Sequence, residues 1–426
     1  MQHRLMIIGS SFENIELVKM SKSRGYYTVV CDGYPDGPAK KFADKAYTID
    51  VRKPHEIADL CKEEQVDGII GSFSDLLYEQ ITKIATYADL RWYAEKSQIK
   101  YYRKKNVVKS VLKEIGAKVP HNKVIAKDFK DEELDNFTWP VVIKPINGWG
   151  SKGIYVVNSI DEVRDRFDKV LKYSLFDEEE EDTNVIQVEE YCYGREYNMI
   201  TWICDGEAHL ISIADREKNP REGYTVPLLN RIAYPSKNTE SLAEEALDIV
   251  KRYIKVSGQK DGPVCVQFFY DGQDIVICEV AARVFGYEHE MVEWCSGLSI
   301  EAILLDYVYE PERVKEALKN HSPLFDKNYA GIYFIGRQGA VLADQTAFKD
   351  MVASERLKGH IEQYIPYYNE GETIDNYGPH SYFTSLFIKA DSREELDDIT
   401  EYIFKNASAK ADDGTELLIP FMLETD

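Results

Sequence analysis

The chain has 426 residues, 44% of them hydrophobic, enough to build full cores in roughly two to four domains. Its 52 basic against 74 acidic residues give a net charge of −22, which argues against nucleic acid or an anionic membrane surface as a partner, because both need a positive face. Seven cysteines without C-x-x-C spacing read as buried reduced thiols of a cytoplasmic protein, eight histidines show no metal spacing, and the apolar run in Met1–Gly9 is too short for a signal peptide or a membrane span.

The N-terminal third alternates strand and helix. Leu5–Ile8 reads as a strand ending at Gly9, Asn14–Arg24 as a helix, and Thr28–Cys31 as a strand ending at Asp32. Pro54–Glu64 reads as a helix, and Gly68–Ile70 as a third strand running into Gly71, Ser72, Phe73, Ser74 and Asp75. This spacing predicts a parallel, doubly wound sheet. Asp32 invites a nicotinamide-binding reading, but Gly9 is followed by Ser10, Ser11, Phe12, Glu13 and Asn14, so the G-x-G-x-x-G fingerprint is absent. The expectation is a Rossmann-like domain without a dinucleotide site, whose loop Ser72–Asp75 faces a shared cleft.

Asn106–Ile115 is an amphipathic helix with Val107, Val108, Val111, Leu112 and Ile115 on one face, stopped by Gly116. Lys105 stands at its start, where a cation opposes the helix dipole unless an anion sits nearby. Next comes the β-branched run Val141-Val142-Ile143, which delivers Lys144 and then Pro145, Gly148, Gly150, Ser151, Lys152 and Gly153. A strand that fixes a lysine and ends in a glycine turn offers close backbone donors and a point charge to a polyphosphate. By itself the segment reads equally as a solvated hairpin. It is not a Walker loop, because Lys152 precedes Gly153, and it is not a kinase lysine strand, because no His-Arg-Asp or Asp-Phe-Gly motif follows.

The acidic run Asp177–Asp182 reads as a solvated connection. Val185–Val188 is a strand running into Glu189, Glu190, Tyr191, Cys192, Tyr193, Gly194, Arg195 and Glu196, and Tyr197–Cys204 is another. Leu210–Ala214 is a strand followed by the charged Asp215-Arg216-Glu217-Lys218, which reads as a loop or as substrate contacts. Val264–Tyr270 and Ile275–Val280 form a hairpin about Asp271-Gly272 and end in Glu279, Val280, Ala281, Ala282 and Arg283. Glu288-His289-Glu290 reads either as a solvated turn or as groups that orient an amine. Helices near Met291–Cys295 and Ile300–Tyr309 precede Pro323. Strands Ala330–Ile335 and Ser381–Ala390 and the helix Arg393–Asn406 then suggest a small α+β domain.

This order of parts over roughly residues 1–310 resembles the ATP-grasp superfamily. The branch is similar to carbamoyl-phosphate synthases, biotin carboxylases and amino-acid ligases, although the long glycine string of biotin carboxylases is absent. The resemblance implies α/β and α+β architecture. A Rossmann-like domain (1–100) precedes an ATP-grasp fold of two α+β subdomains clasping ATP (101–322, with a mobile lid near 120–190), and a small C-terminal α+β domain (323–426) follows. It places the ATP lysines on Lys105 and Lys144 and the phosphate loop on Gly148–Gly153, including Gly150, Ser151, Lys152 and Gly153. The adenine hinge falls on Glu189, Glu190, Tyr191 and Cys192, and the ribose carboxylate on Glu196. Magnesium falls on Glu279 and Gln267, and the transition-state cation on Arg283. At the metal, Gln267 and Ala281 stand where the family places an acid and an asparagine, so one Mg²⁺ site is expected rather than two.

The implied function is ATP-dependent carboxylate–amine ligation through an acyl phosphate, with release of ADP and phosphate, on amino-acid-like small molecules. Lys144 and Arg283 would carry the charge neutralisation. The alternatives are a purine- or carbamoyl-phosphate-type ligase using formate or bicarbonate, and an ATP-binding regulatory module in which the metal departures have removed the chemistry. Partners are small molecules, without nucleic acid or membrane, and a homodimer is left open.

Overall fold

The computed structural model describes residues 2–71, 73–147, 153–174, 184–219, 228–286, 288–376 and 382–423. Gly148, Gly150, Ser151, Lys152, Ser72, and the run Asp177–Asp182 lie outside the described residues.

The first layer is β1 (Arg4–Ile8), α1 (Asn14–Ser23), β2 (Tyr27–Cys31), β3 (Lys45–Tyr47), α2 (Pro54–Glu63), β4 (Gly68–Ile70) and α3 (Asp75–Ala88). Its four strands are parallel in the order β3-β2-β1-β4, as alternating strands and helices require. Ser74 caps α3 by accepting from the Leu77 N–H, which fixes Asp75 at the sheet's C-terminal edge. Helices α4 (Lys100–Arg103) and α5 (Lys105–Glu114) follow. Val108, Val111 and Leu112 of α5 are buried, and Gly116 closes the helix with a φ of +74°.

A four-stranded antiparallel sheet comes next. It contains β5 (Asn122–Ala126), β6 (Val141–Pro145), β7 (Tyr155–Val157) and β8 (Val185–Glu190) in the order β5-β8-β6-β7, with α6 (Ile160–Leu171) packed against it. The register sets Lys144 opposite Gln187 and Val142 opposite Glu189.

The largest sheet holds β9 (Arg195–Cys204), β10 (Glu207–Asn219), β11 (Leu228–Tyr234), β12 (Gly262–Tyr270) and β13 (Ile275–Ala281). Helix α7 (Thr239–Ser257) lies between β11 and β12, and α8 (His289–Ser296), α9 (Ile300–Tyr309) and α10 (Pro311–Asn320) follow β13. The remaining elements are β14 (Asn328–Phe334), β15 (Leu342–Asp344), α11 (Thr346–Val352), β16 (Ile361–Pro366), β17 (Thr384–Ala390), α12 (Arg393–Asn406) and β18 (Lys410–Ala411). Strands β14, β17 and β16 extend the large sheet, giving eight strands in the order β13-β12-β9-β10-β11-β14-β17-β16. At one edge, Lys118 bridges Val276, and its carbonyl accepts from the Ile277 N–H. At the other edge, β16 carries Glu362 and ends at Pro366.

The charged segment Asp215–Lys218 belongs to β10 and is not a loop. Its side chains alternate between two buried ion networks, one on each face of the sheet. Among the described residues no helix is long and apolar enough to cross a membrane.

Candidate active site

Four of the expected site residues, Lys105, Lys144, Gln267 and Glu279, line one cavity of about 100 Å³, together with Arg103 and Lys109. Each arrives from a different piece of local structure. Lys105 opens α5, Lys144 ends the buried strand β6, and Gln267 and Glu279 are direct cross-strand partners on β12 and β13. Partners opposite each other in an antiparallel pair project to the same face, so the hairpin brings the amide and the carboxylate side by side.

The cavity is rich in cations. The Lys105 ammonium donates to the Ile146 carbonyl at 3.1 Å. Burial pulls it down to about 8; Glu279 opposes that pull, and Lys144 and Arg103 add to it. Lys144 is buried, and its Nζ lies 2.6 Å from Glu189 Oε2. Burial lowers its affinity for a proton, but the Glu189 carboxylate more than offsets this and the net shift is upward. Arg103 is held by Glu79 at 2.9 Å, which also binds Lys83.

The segment proposed as the hinge is placed differently from a simple backbone strip. The Glu189 side chain turns inward to Lys144 and is 3% exposed. The Glu190 N–H donates to the His121 carbonyl, and its carboxylate accepts from the Thr138 N–H at 2.9 Å. The Tyr191 N–H donates to the Pro140 carbonyl, and its ring meets Tyr193 edge-on. Cys192 is half-buried, and burial, then Cys278, push its thiol up to about 12, which makes it a poor nucleophile. Gly153 has a φ of +73°, and a Cβ there would stand 2.7 Å from the Tyr173 ring, so both conformation and space call for glycine.

Glu196 is buried on β9 and is bound by Arg216 at 2.6 Å and by Lys218, while the Gln267 amide donates to it. Glu196 is therefore the anionic centre of a cationic patch beside the cavity. Because the Gln267 nitrogen is directed to Glu196, the carbonyl oxygen is the atom left to act as a metal ligand. Among the described residues no group of three or more Asp, Glu, His or Cys is arranged to hold a metal ion. Glu279 with the Gln267 carbonyl fits a Mg²⁺ that takes most of its remaining ligands from phosphate and water.

Arg283 does not pair with Glu279. It forks onto Asp75, with Nε–Oδ1 of 3.1 Å and Nη2–Oδ2 of 2.9 Å. Burial pushes the Asp75 carboxyl up, but Arg283, Arg103 and Lys105 hold it at about 2. Glu288 and His289 are buried, not solvated. Glu288 accepts from Asn198 at 2.6 Å and Tyr234 at 2.5 Å. His289 Nδ1 lies 2.7 Å from Glu301, with Phe73 stacked on the ring at 4.4 Å.

Two residues of the site were not singled out from the sequence. Lys109 lies one helical turn after Lys105, donates to the Ile277 and Cys278 carbonyls at 3.0 Å each, and lies 3.5 Å from Glu189. Its signal was the i, i+4 spacing from Lys105 on a helix whose next turns are apolar. Asp75 as the anchor of Arg283 had only a topological signal, since strand-end loops of a doubly wound sheet face a cleft.

The cavity thus gathers lysines and a single hairpin carboxylate, an arrangement with the charge to hold an anion and a cation together. Residues 137–290 match the family model described as the ATP-grasp domain. That stretch of the chain is therefore similar to an ATP-grasp domain. It is 22% identical over 292 residues to a formate-dependent phosphoribosylglycinamide formyltransferase of Prochlorococcus marinus (strain NATL1A), covering 66% of this chain and 70% of that protein. It is 23% identical over 247 residues to an L-arginine-specific L-amino acid ligase of Bacillus subtilis, covering 56% and 54%. The fold superimposes on the crystal structure of an L-amino acid ligase from Bacillus licheniformis with a TM-score of 0.78, at 15% identity over 96% of this chain and 98% of that one. An ADP complex of an N5-carboxyaminoimidazole ribonucleotide synthetase gives 0.69 at 16% identity over 95% and 97%.

Proposed function

We propose that the protein is an ATP-dependent carboxylate–amine ligase acting on small, amino-acid-like molecules. The observation that carries this is the convergence of Lys105, Lys144, Gln267 and Glu279 on one cavity, within a chain that carries an ATP-grasp domain. In this reading Lys105 and Lys144 hold the phosphates. The Cys192 main chain supplies the donor to the adenine edge, because the N–H groups of Glu190 and Tyr191 are already used by the sheet. Glu196, with two lone-pair-rich oxygens, reads the ribose hydroxyls. Glu279 and the Gln267 carbonyl hold one Mg²⁺, which supplies charge neutralisation to the phosphates when bound.

The reaction follows in two steps. A substrate carboxylate oxygen attacks the γ-phosphorus, the bond to the β-phosphate oxygen breaks, and ADP leaves. The amine then attacks the acyl carbon, phosphate departs, and the amine loses its proton. Arg283, fixed in direction by Asp75, faces charge that develops on the acyl phosphate oxygens; one such oriented donor is worth about 3 kcal/mol. The division into domains 1–100, 101–322 and 323–426, with a mobile lid near 120–190, is part of this proposal. Two similar proteins are named as L-amino acid ligases, which favours amino acids on both sides of the bond.

The test is incubation with Mg·ATP and pools of carboxylates and amines, formate and bicarbonate included, with phosphate release and product masses measured. Substrate-dependent ADP, phosphate and a new amide support the proposal. AMP and pyrophosphate would refute the acyl-phosphate route, and tight ATP binding without turnover on any pool would favour a regulatory module. Lys144→Ala should abolish ATP binding.

A further inference from the structure

Glu189 is shared by two buried lysines in an unsymmetrical way. One carboxylate oxygen, Oε2, takes Lys144 at 2.6 Å. The other, Oε1, accepts from the Gln187 amide at 2.8 Å and has Lys109 Nζ 3.5 Å away. All four side chains are nearly inaccessible: Glu189 is 3%, Lys109 2%, Lys144 6% and Gln187 1% exposed. Lys109 is tied to the main chain of β13 through the carbonyls of Ile277 and Cys278, immediately before Glu279. Among the described residues Lys144 has no comparable tether to main chain, and it also lines the cavity.

A phosphate that enters the cavity competes with Glu189 for Lys144. If Lys144 swung away and nothing replaced it, a buried carboxylate would be left with a single neutral donor, an arrangement that strongly opposes the move. We infer that Lys109 is the standby counter-ion of Glu189, a positioning residue that takes over the carboxylate when Lys144 turns to a nucleotide phosphate. Lys109 already stands within ion-pair range of Glu189, so the buried carboxylate keeps an ammonium partner in both states. It also links the lysine of the lid sheet to the strand that presents Glu279. The inference rests on the proposed phosphate role of Lys144 and goes beyond it by assigning functions to Glu189 and Lys109.

The exchange is tested by calorimetric titration of the full chain with Mg·ATP, using wild type, Lys109→Met, Glu189→Gln, the double variant and Lys144→Ala, each checked for cooperative thermal unfolding. Lys109→Met should weaken ATP about tenfold or more, because Lys144 becomes the only cation holding Glu189. Glu189→Gln should bind ATP as tightly as wild type or tighter, since nothing then competes for Lys144. The double variant should return to within about threefold of Glu189→Gln. A Lys109 that served only to brace the β13 carbonyls would give no such rescue, so a double variant as weak as Lys109→Met overturns the exchange. If Lys109→Met fails to fold, Glu189→Gln decides alone, and a tenfold loss of affinity there overturns the inference. Wild type that binds no ATP, or Lys144→Ala that binds it normally, refutes the phosphate assignment itself and the exchange with it. Loss in Lys144→Ala without rescue refutes the exchange only.

Discussion

At Lys105 an ammonium held at about 8 stands among other cations, with Glu279 as its main opposing charge. Its protonated form is the one that binds phosphate, so ATP affinity should be highest below pH 8 and fall as pH rises through it, with proton uptake on binding near pH 8. Titrations in buffers of different ionisation enthalpy measure both effects, and Lys105→Met should remove the pH dependence along with most of the affinity. Arg283 and Asp75 make the second residue-scale case. Arg283→Met leaves a buried carboxylate unpaired and should cost about 3 kcal/mol of stability, of which Asp75→Asn in the same chain should recover most. The folded carboxyl is depressed, so its contribution is present above about pH 4 and is lost as pH falls toward about 2. Denaturant titration at neutral and acid pH checks this. The elements that carry Lys105, Lys144, Gln267 and Glu279 were legible from short-range pattern (a helix start, a strand end and a hairpin), whereas their grouping into one site was implied by the family resemblance alone. The partner of Arg283 was not, because it lies 208 residues away.

At the scale of elements, β10 shows why a run of charges was misleading. Four consecutive charged side chains read as a loop or as substrate contacts, but the strand period of two separates them. Arg216 and Lys218 turn to Glu196, whereas Asp215 and Glu217 turn to Arg393 and Arg231. Each face supplies opposite charge to the ionised groups it buries, so the strand can sit within the sheet. Helix α8 carries a different dependence. Burial lowers the His289 imidazole, but Glu290 and Glu301 raise it to about 9. A raised histidine stabilises fully below its unfolded value near 6.5, and that stability fades as pH rises through about 9. The melting temperature should therefore fall between pH 6.5 and 9, and Glu301→Gln should flatten that slope. Strand β12 begins at Gly262, with a φ of +88° and the Tyr93 ring 2.4 Å from where a Cβ would stand. Gly262→Ala should lower stability by at least about 2 kcal/mol through strain and overpacking, as read from denaturant midpoints.

For the molecule as a whole, the C-terminal residues complete a sheet that begins at the β12–β13 hairpin. Strand β14 pairs with β11, and Asp397 of α12 binds Arg231 at 2.6 Å. A chain ended at residue 322 would leave β11 with an open edge and the buried Arg231 without one of its carboxylates. Such a fragment should aggregate on expression and lack a cooperative melt, whereas the full chain should show one. The parallel N-terminal layer was readable from its alternation. The joining of distant strands into one eight-stranded sheet was not, because strand periodicity says which face is buried and not which neighbour covers an edge.

The two ends of that sheet have a consequence for assembly. One margin is stitched by Lys118 to Ile277, and the other is guarded by Glu362 and terminated at Pro366. A cross-tie on one margin and a charge with a terminal proline on the other both discourage a second copy from lengthening this particular sheet, and so from stacking without limit along it.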